Sequence, residues 1–279
     1  MHFMPAMYPE SMPQQFLRSF KLYIHSLFHV FGLALILSVI AFIPRFIMLA
    51  TNQDIFFTTD FFAPQKLWLF LVEISCLIFF LSLLWRIRCF IATIHETLLN
   101  DFKRALKKII PVIVAGFIQG FSIVLINFAS FGLYLLLIHE GLSMDKPLLY
   151  LLISILFTLQ LAAAIYIYFL FCFYLPLILA EGKSILMSLK ESVLLVWKNW
   201  WRTFFVQLFP WACYLIVLLI IKNMIPVPVH IYFTEPKFIT FYSVLLQILL
   251  FALFIPWPAA ALLVQLHDLE LRKKLNRSV

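Results

Sequence analysis

Residues 67–85 read LWLFLVEISCLIFFLSLLW and run directly into Arg86-Ile87-Arg88. Thirteen of these 19 residues are Leu, Ile, Phe or Val, and Glu73 alone carries a charge. An α-helix rises about 1.5 Å per residue, so a run of this length spans a hydrocarbon core about 30 Å thick. Glu73 is the obstacle. The thirteen apolar side chains favour insertion by roughly 4 to 8 kcal/mol in total, against about 2.5 kcal/mol or more lost to one central acid. Insertion wins, and the glutamate is carried into the span.

Five other apolar runs are long enough to cross. With this one they give spans at 28–50, 67–85, 109–138, 148–180, 204–221 and 239–266. Little is left over for a soluble domain in 279 residues, so the chain reads as a single integral membrane domain over 1–279. Composition agrees: 64% of residues are hydrophobic and 12% charged. A water-soluble domain carries roughly 25% charged residues to keep its surface wet. The first apolar run exceeds a signal-peptide core and ends in Pro44 and Arg45 without a small-residue cleavage motif, which argues against a cleaved leader.

Lysine and arginine set the orientation. With the amino end inside, 16 of the 21 basic residues fall on the inner side. Arg45, Lys66, Lys146, Lys222 and Lys237 are left for the outer side, where Asp54, Asp60, Glu140, Asp145 and Glu235 also lie. The expected placement is a bacterial inner membrane with both termini cytoplasmic. A five-span alternative, with one run bent back in a leaflet, would spoil this charge split. The net charge of +8 reflects clusters between apolar runs, a topology signal, and not a nucleic-acid footprint.

The inner segments carry their own pattern. Ile185, Leu189, Val193, Val196, Trp197 and Trp200 fall at helical spacing, with Lys190, Glu191, Lys198, Asn199 and Arg202 between them. That pattern predicts an amphipathic helix over 184–202 lying among headgroups. Similar basic segments precede two other spans, at 14–27 and at 86–108, the latter bearing Lys103, Arg104, Lys107 and Lys108. Aligning 16–28 with 185–197 matches Leu17 with Leu186, Ser19 with Ser188 and Lys21 with Lys190, which suggests a threefold pseudo-repeat of interfacial helix followed by span. Pro111, Pro176, Pro210, Pro256 and Pro258 lie in the inner portions of their spans, as joints between the two kinds of helix or as hinges. The expected fold is therefore an all-α membrane protein, a bundle of about six transmembrane helices with amphipathic interfacial helices on the cytoplasmic face.

Three features together carry a resemblance. They are the order of six spans, the stretch Glu181-Gly182-Lys183-Ser184 opening the long interfacial helix, and Asp268-Leu269-Glu270-Leu271-Arg272 closing the last span. In these the chain resembles a bacterial six-span integral membrane family related to the membrane domain of glycerophosphodiester phosphodiesterases. The soluble catalytic domain of those fusions has no counterpart here. The resemblance thus implies a membrane module and no phosphodiesterase activity.

Chemistry-bearing motifs are incomplete. His95-Glu96 opens like the zinc motif HExxH, but residue 99 is Leu. His25 and His29 have i, i+4 spacing and no carboxylate near them in sequence. Ser143 to Lys146 spells SxxK without the partner motifs of penicillin-binding enzymes. The four cysteines form no CxxC pair and read as core hydrophobes. No catalytic set, metal site or cofactor is implied. Glu73 is an ionisable group within a span and so a candidate site, with Arg45 at similar depth as its expected partner. Gln119, Asn127, Gln160 and Gln247 place amides on three other spans, for interhelical hydrogen bonds or a polar path. Gly116 and Gly120 form a GxxxG that suits close packing within the chain. The basic inner residues Lys103, Arg104, Lys107, Lys108, Lys190, Lys198 and Arg202 suit anionic headgroups. Membrane lipids are the expected partners, and no protein partner is indicated. The reading favoured is a non-enzymatic module that interacts with lipid or assists a membrane process. A small-solute transporter built on Glu73 is the first alternative and a lipid-modifying enzyme the second.

Overall fold

The computed structural model describes residues 6–51, 64–94, 96–140, 146–224 and 241–278. His95, Ser143, Asp54, Asp60, Asp145, Glu235 and Lys237 lie outside them. Among the described residues the fold is all-helical, with no strand: α1 (Met12–Thr51), α2 (Pro64–Ile91), α3 (Leu98–Glu140), α4 (Lys146–Leu170), α5 (Tyr174–Ala180), α6 (Ile185–Val196), α7 (Trp200–Met224), α8 (Phe241–Phe254) and α9 (Pro256–Ser278). One 3₁₀ turn, Trp197–Asn199, joins α6 to α7. Six helical stretches are long and apolar enough to cross a bilayer: Met12–Ala50, Leu67–Ile91, Leu98–Leu136, Lys146–Ala180, Ile185–Ile221 and Phe241–Leu275.

These stretches absorb the segments expected as separate interfacial helices. Residues 14–27 continue into the first span without a break. Residues 86–108 are not one helix. α2 stops at Ile91, the chain turns with Thr93 at φ 55°, and α3 restarts at Leu98. The inner prolines also divide. Pro111 and Pro210 sit inside continuous helices, whereas a break immediately precedes Pro176 and Pro256 near the starts of α5 and α9. Proline fits a first turn because its missing N–H has no intrahelical partner there.

The chain forms two compact units, 1–109 with 205–279, and 110–204. In the first, α1 packs on α2, α8 and α9. Beyond its basic first half α1 is apolar on nearly every side, and its buried positions follow one stripe: Ser19, Leu22, Tyr23, Ser26, Val30, Leu33, Ala34, Leu37 and Ser38. Small residues let the backbones approach. Ala252, Ala259, Ala260 and Ala261 of α8 and α9 are wholly buried, and Ser26 and Ser38 return their hydroxyls to the α1 carbonyls of Tyr23 and Ala34. Packing of this kind substitutes for the hydrophobic effect where the solvent is itself apolar.

In the second unit α6 packs on α4 and α5. Ser192 of α6 repairs the interruption at residues 171–173. Its hydroxyl donates to the Leu170 carbonyl at 2.7 Å and accepts from the Phe173 N–H at 3.2 Å. Both groups are left over when the α4 ladder stops. The aligned segments of α1 and α6 share exposure as well as residues. Ser19 and Ser188 are buried, while Leu17, Leu186, Lys21 and Lys190 are exposed.

Candidate functional site: the basic helix ends and the apolar-helix amides

The stretch Glu181-Gly182-Lys183-Ser184 sets how α6 leaves α5. Gly182 has φ 68°, a left-handed geometry that glycine adopts without Cβ strain. Lys183 then folds back between Glu181, at 2.5 Å, and Glu191 one side of α6 away. Burial alone would lower the lysine pKa, but hydrogen bonds and charge from both glutamates outweigh it and hold the pKa above its ordinary value. That lysine stays charged until the pH passes the usual lysine range, so on the alkaline side the lock weakens only there.

From this anchor α6 shows two faces. Ser188, Leu189, Ser192, Leu195 and Val196 face inward. Leu186, Met187, Leu194, Trp197 and Trp201 stand outward, 75%, 58%, 58%, 61% and 66% exposed, with Lys190 and Lys198 exposed beside them. The expected stripe is therefore rotated. Leu189 and Val196 are core residues, and the exposed apolar row runs through Leu186 and Leu194 to two tryptophans. Ser192 facing inward accounts for the rotation, because its hydroxyl satisfies the backbone groups at the 171–173 helix break.

The first unit holds two ion-pair networks at its basic helix ends. Asp101, wholly buried in the first turn of α3, takes the Arg86 guanidinium at 3.0 Å. Glu96 accepts from the Trp85 indole at 3.0 Å and faces Arg104 at 3.6 Å, and Arg104 lies 3.8 Å over the Trp85 ring. Cys89 Sγ and an oxygen each of Glu96 and Asp101 lie within 4.8 Å of one another, a set able in principle to hold a metal. Each carboxylate already has a cationic neighbour, so the group is charge-balanced as it stands. The second network ties the ends of the chain. Asp268 takes the Glu10 N–H at 2.6 Å and Arg272 at 2.8 Å, Arg272 also donates to the Glu10 carbonyl, and Glu10 takes Arg18 at 2.6 Å. The closing Asp268–Arg272 stretch thus has a structural task. Of the remaining basic candidates, Lys103 and Lys107 are exposed, and Lys108 and Arg202 are half-buried.

The amides within the apolar helices do form interhelical bonds. Gln119 donates to the Tyr168 carbonyl at 3.1 Å, Gln160 donates to Asn127, and Gln247 accepts from Arg45. Arg45 also lies 5.0 Å over the Phe42 ring. The expected Arg45–Glu73 pair is not made. Glu73 is exposed on α2, and no hydrogen bond or ion pair joins it to another described residue. Similar depth did not suffice: Glu73 stands exposed on α2, and the Arg45 guanidinium donates to Gln247 instead. Gly116 is packed within the chain, since a Cβ there would meet Tyr174 Oη at 3.3 Å, whereas Gly120 faces open space. His25 bonds the Lys21 carbonyl and His29 lies against Phe90.

Sequence reasoning passed over a polar set in the first unit. Gln207 donates to Gln265 at 2.8 Å, the Trp257 indole donates to Ser19 at 3.3 Å, and Gln15 is wholly buried nearby in register on α1. Gln15, Ser19 and Tyr23 share the i, i+4 stripe, which was the available signal.

These helices define the class: an all-α protein with six helices long and apolar enough for a bilayer. Within that class the chain belongs to the DUF7847 family, a domain of unknown function, whose model matches residues 87–262. No curated protein and no solved structure matches the chain.

Proposed function

We propose that this chain is a non-enzymatic polytopic protein of the bacterial inner membrane, with both termini cytoplasmic, that engages anionic lipid headgroups through α6. The observation that carries the reading is the outward row Leu186, Leu194, Trp197 and Trp201 flanked by Lys190 and Lys198. Amphipathic tryptophan belongs at the headgroup level, and each lysine near an anionic surface contributes about 1 kcal/mol. The fixed turn at Gly182 and the Ser192 bonds hold this row in place, so binding orders little that is not already ordered.

Mass spectrometry of lipids retained by the detergent-purified protein tests this. In the double variant Lys190→Ala/Lys198→Ala, affinity for anionic phospholipid should fall by about 30-fold, the equivalent of about 2 kcal/mol, with zwitterionic lipid unchanged. An unaltered lipid profile would refute the assignment.

A further inference from the structure

Asn127 and Gln160 raise a question the lipid-facing reading leaves open. Asn127 lies 11 residues from the 138 end of its apolar run, about 16 Å along the helix, and Gln160 lies 12 residues, about 18 Å, from the 148 end of its own. Both distances come to about half of a hydrocarbon core roughly 30 Å thick. The surroundings are correspondingly greasy. Val124, Phe128 and Phe131 on α3 are 56%, 76% and 56% exposed, and Phe157 and Leu161 on α4 are 59% and 52% exposed.

Within this apolar surface the two amides bond only each other. Gln160 Nε2 donates to Asn127 Oδ1, and neither side chain bonds any other described residue. One bond uses one of the four N–H groups of the pair and one of its two carbonyl oxygens. Asn127 Nδ2 and Gln160 Oε1 remain, a donor and an acceptor on neighbouring helices. Acyl chains offer partners for neither, and a polar group left unmatched in hydrocarbon is costly. A second copy of the same surface offers both. Related by a twofold axis, each Asn127 meets the other copy's Gln160, because such an interface brings identical patches together. The backbone is also open to close approach there. Gly120 lies two turns before Asn127 on the same stripe, with Val124 and Phe131, and nothing lies within 4 Å of the place its Cβ would occupy.

We infer that the α3–α4 face around Gly120, Asn127 and Gln160 is a self-association surface, and that its occupant is a second copy of this chain. The inference rests on the membrane reading above, without which the buried cost of the amides disappears.

Site-specific photo-cross-linking in intact membranes tests it. A photoreactive phenylalanine analogue is placed at Val124 or at Phe131, with Ile220 on α7, 50% exposed, as control. The expected result is a covalent dimer of this chain from the first two positions and not from the third. Asn127→Leu/Gln160→Leu should weaken dimerisation roughly tenfold, since each interhelical amide bond contributes modestly and the symmetric face loses two. Gly120→Leu should weaken it independently by blocking approach, with monomer yield and helical circular dichroism unchanged because the space is empty. Adducts with lipid alone, or with a different polypeptide, overturn the inference while leaving the membrane reading intact. A dimer that persists unchanged in both variants also overturns it. A chain recovered from the aqueous fraction would overturn the membrane reading itself.

Discussion

The apolar stretches Phe241–Leu275 and Lys146–Ala180 have nearly the same apolar character and opposite surroundings. In the stretch containing α9, 61% of the most apolar window is buried within the protein, whereas in the stretch containing α4 none is. What differs is the kind of residue between the large aliphatics. α9 carries Ala259, Ala260 and Ala261 with Gln265 and Asp268, small and polar groups that need protein against them. α4 has small residues too, Ala162, Ala163 and Ala164 with Ser154 and Thr158, but Gln160 is its one amide and it holds no acid. Where lipid and protein are equally greasy, polar side chains such as Gln265 and Asp268 decide which helix is drawn inward.

The most severe break of this contrast is predicted at Arg86. Its removal in Arg86→Leu leaves the Asp101 carboxylate wholly buried without its cation. Stranding a buried charge costs about 3–5 kcal/mol, and thermal unfolding in detergent should show a loss on that scale. Arg104→Leu is the companion measurement. Its pair with Glu96 is longer and the arginine is 45% exposed, so a loss below about 1 kcal/mol is expected. Equal effects would mean that burial of Asp101 does not govern this corner.

A pair of core and surface changes then probes the two units directly. Ala260→Leu forces three added carbons into a wholly buried site on α9 and should cost about 1–3 kcal/mol. Leu159→Ala removes as many from a residue 61% exposed on α4 and should shift stability by less than about 0.5 kcal/mol. A large loss from the α4 change would show that this surface is packed in the folded state.

The sequence made the six apolar stretches plain, because hydropathy over about 20 residues needs no tertiary information. It also marked Gln119, Asn127, Gln160 and Gln247 as interhelical bonding groups. Partners were harder. Arg45 was matched with Glu73 on depth alone, but a helix places successive residues about 100° apart, and the guanidinium found Gln247 instead. Face was likewise misjudged on α6, where Ser192 faces inward to bond the helix break. Gln207 and Gln265 escaped notice because they lie on different helices far apart in sequence, and only the fold makes them partners. Helix ends were the least legible. Whether an amphipathic segment joins its span or turns from it depends on one left-handed residue, Thr93 in one case and Gly182 in another.

Gly182 therefore gives the finest test of the comparison. Gly182→Ala keeps every side-chain contact of the Lys183 lock but asks an L-residue to hold φ 68°. The strain is about 1 kcal/mol, small beside the core changes above. Its consequence is local, since the turn fixes where α6 begins and so where Trp197 and Trp201 point. Unfolding should shift by that amount, while quenching of tryptophan fluorescence by brominated lipid should fall if the row swings out of the headgroup layer. A stability loss with unchanged quenching would show that the Ser192 bonds, not the glycine turn, hold α6 against its unit.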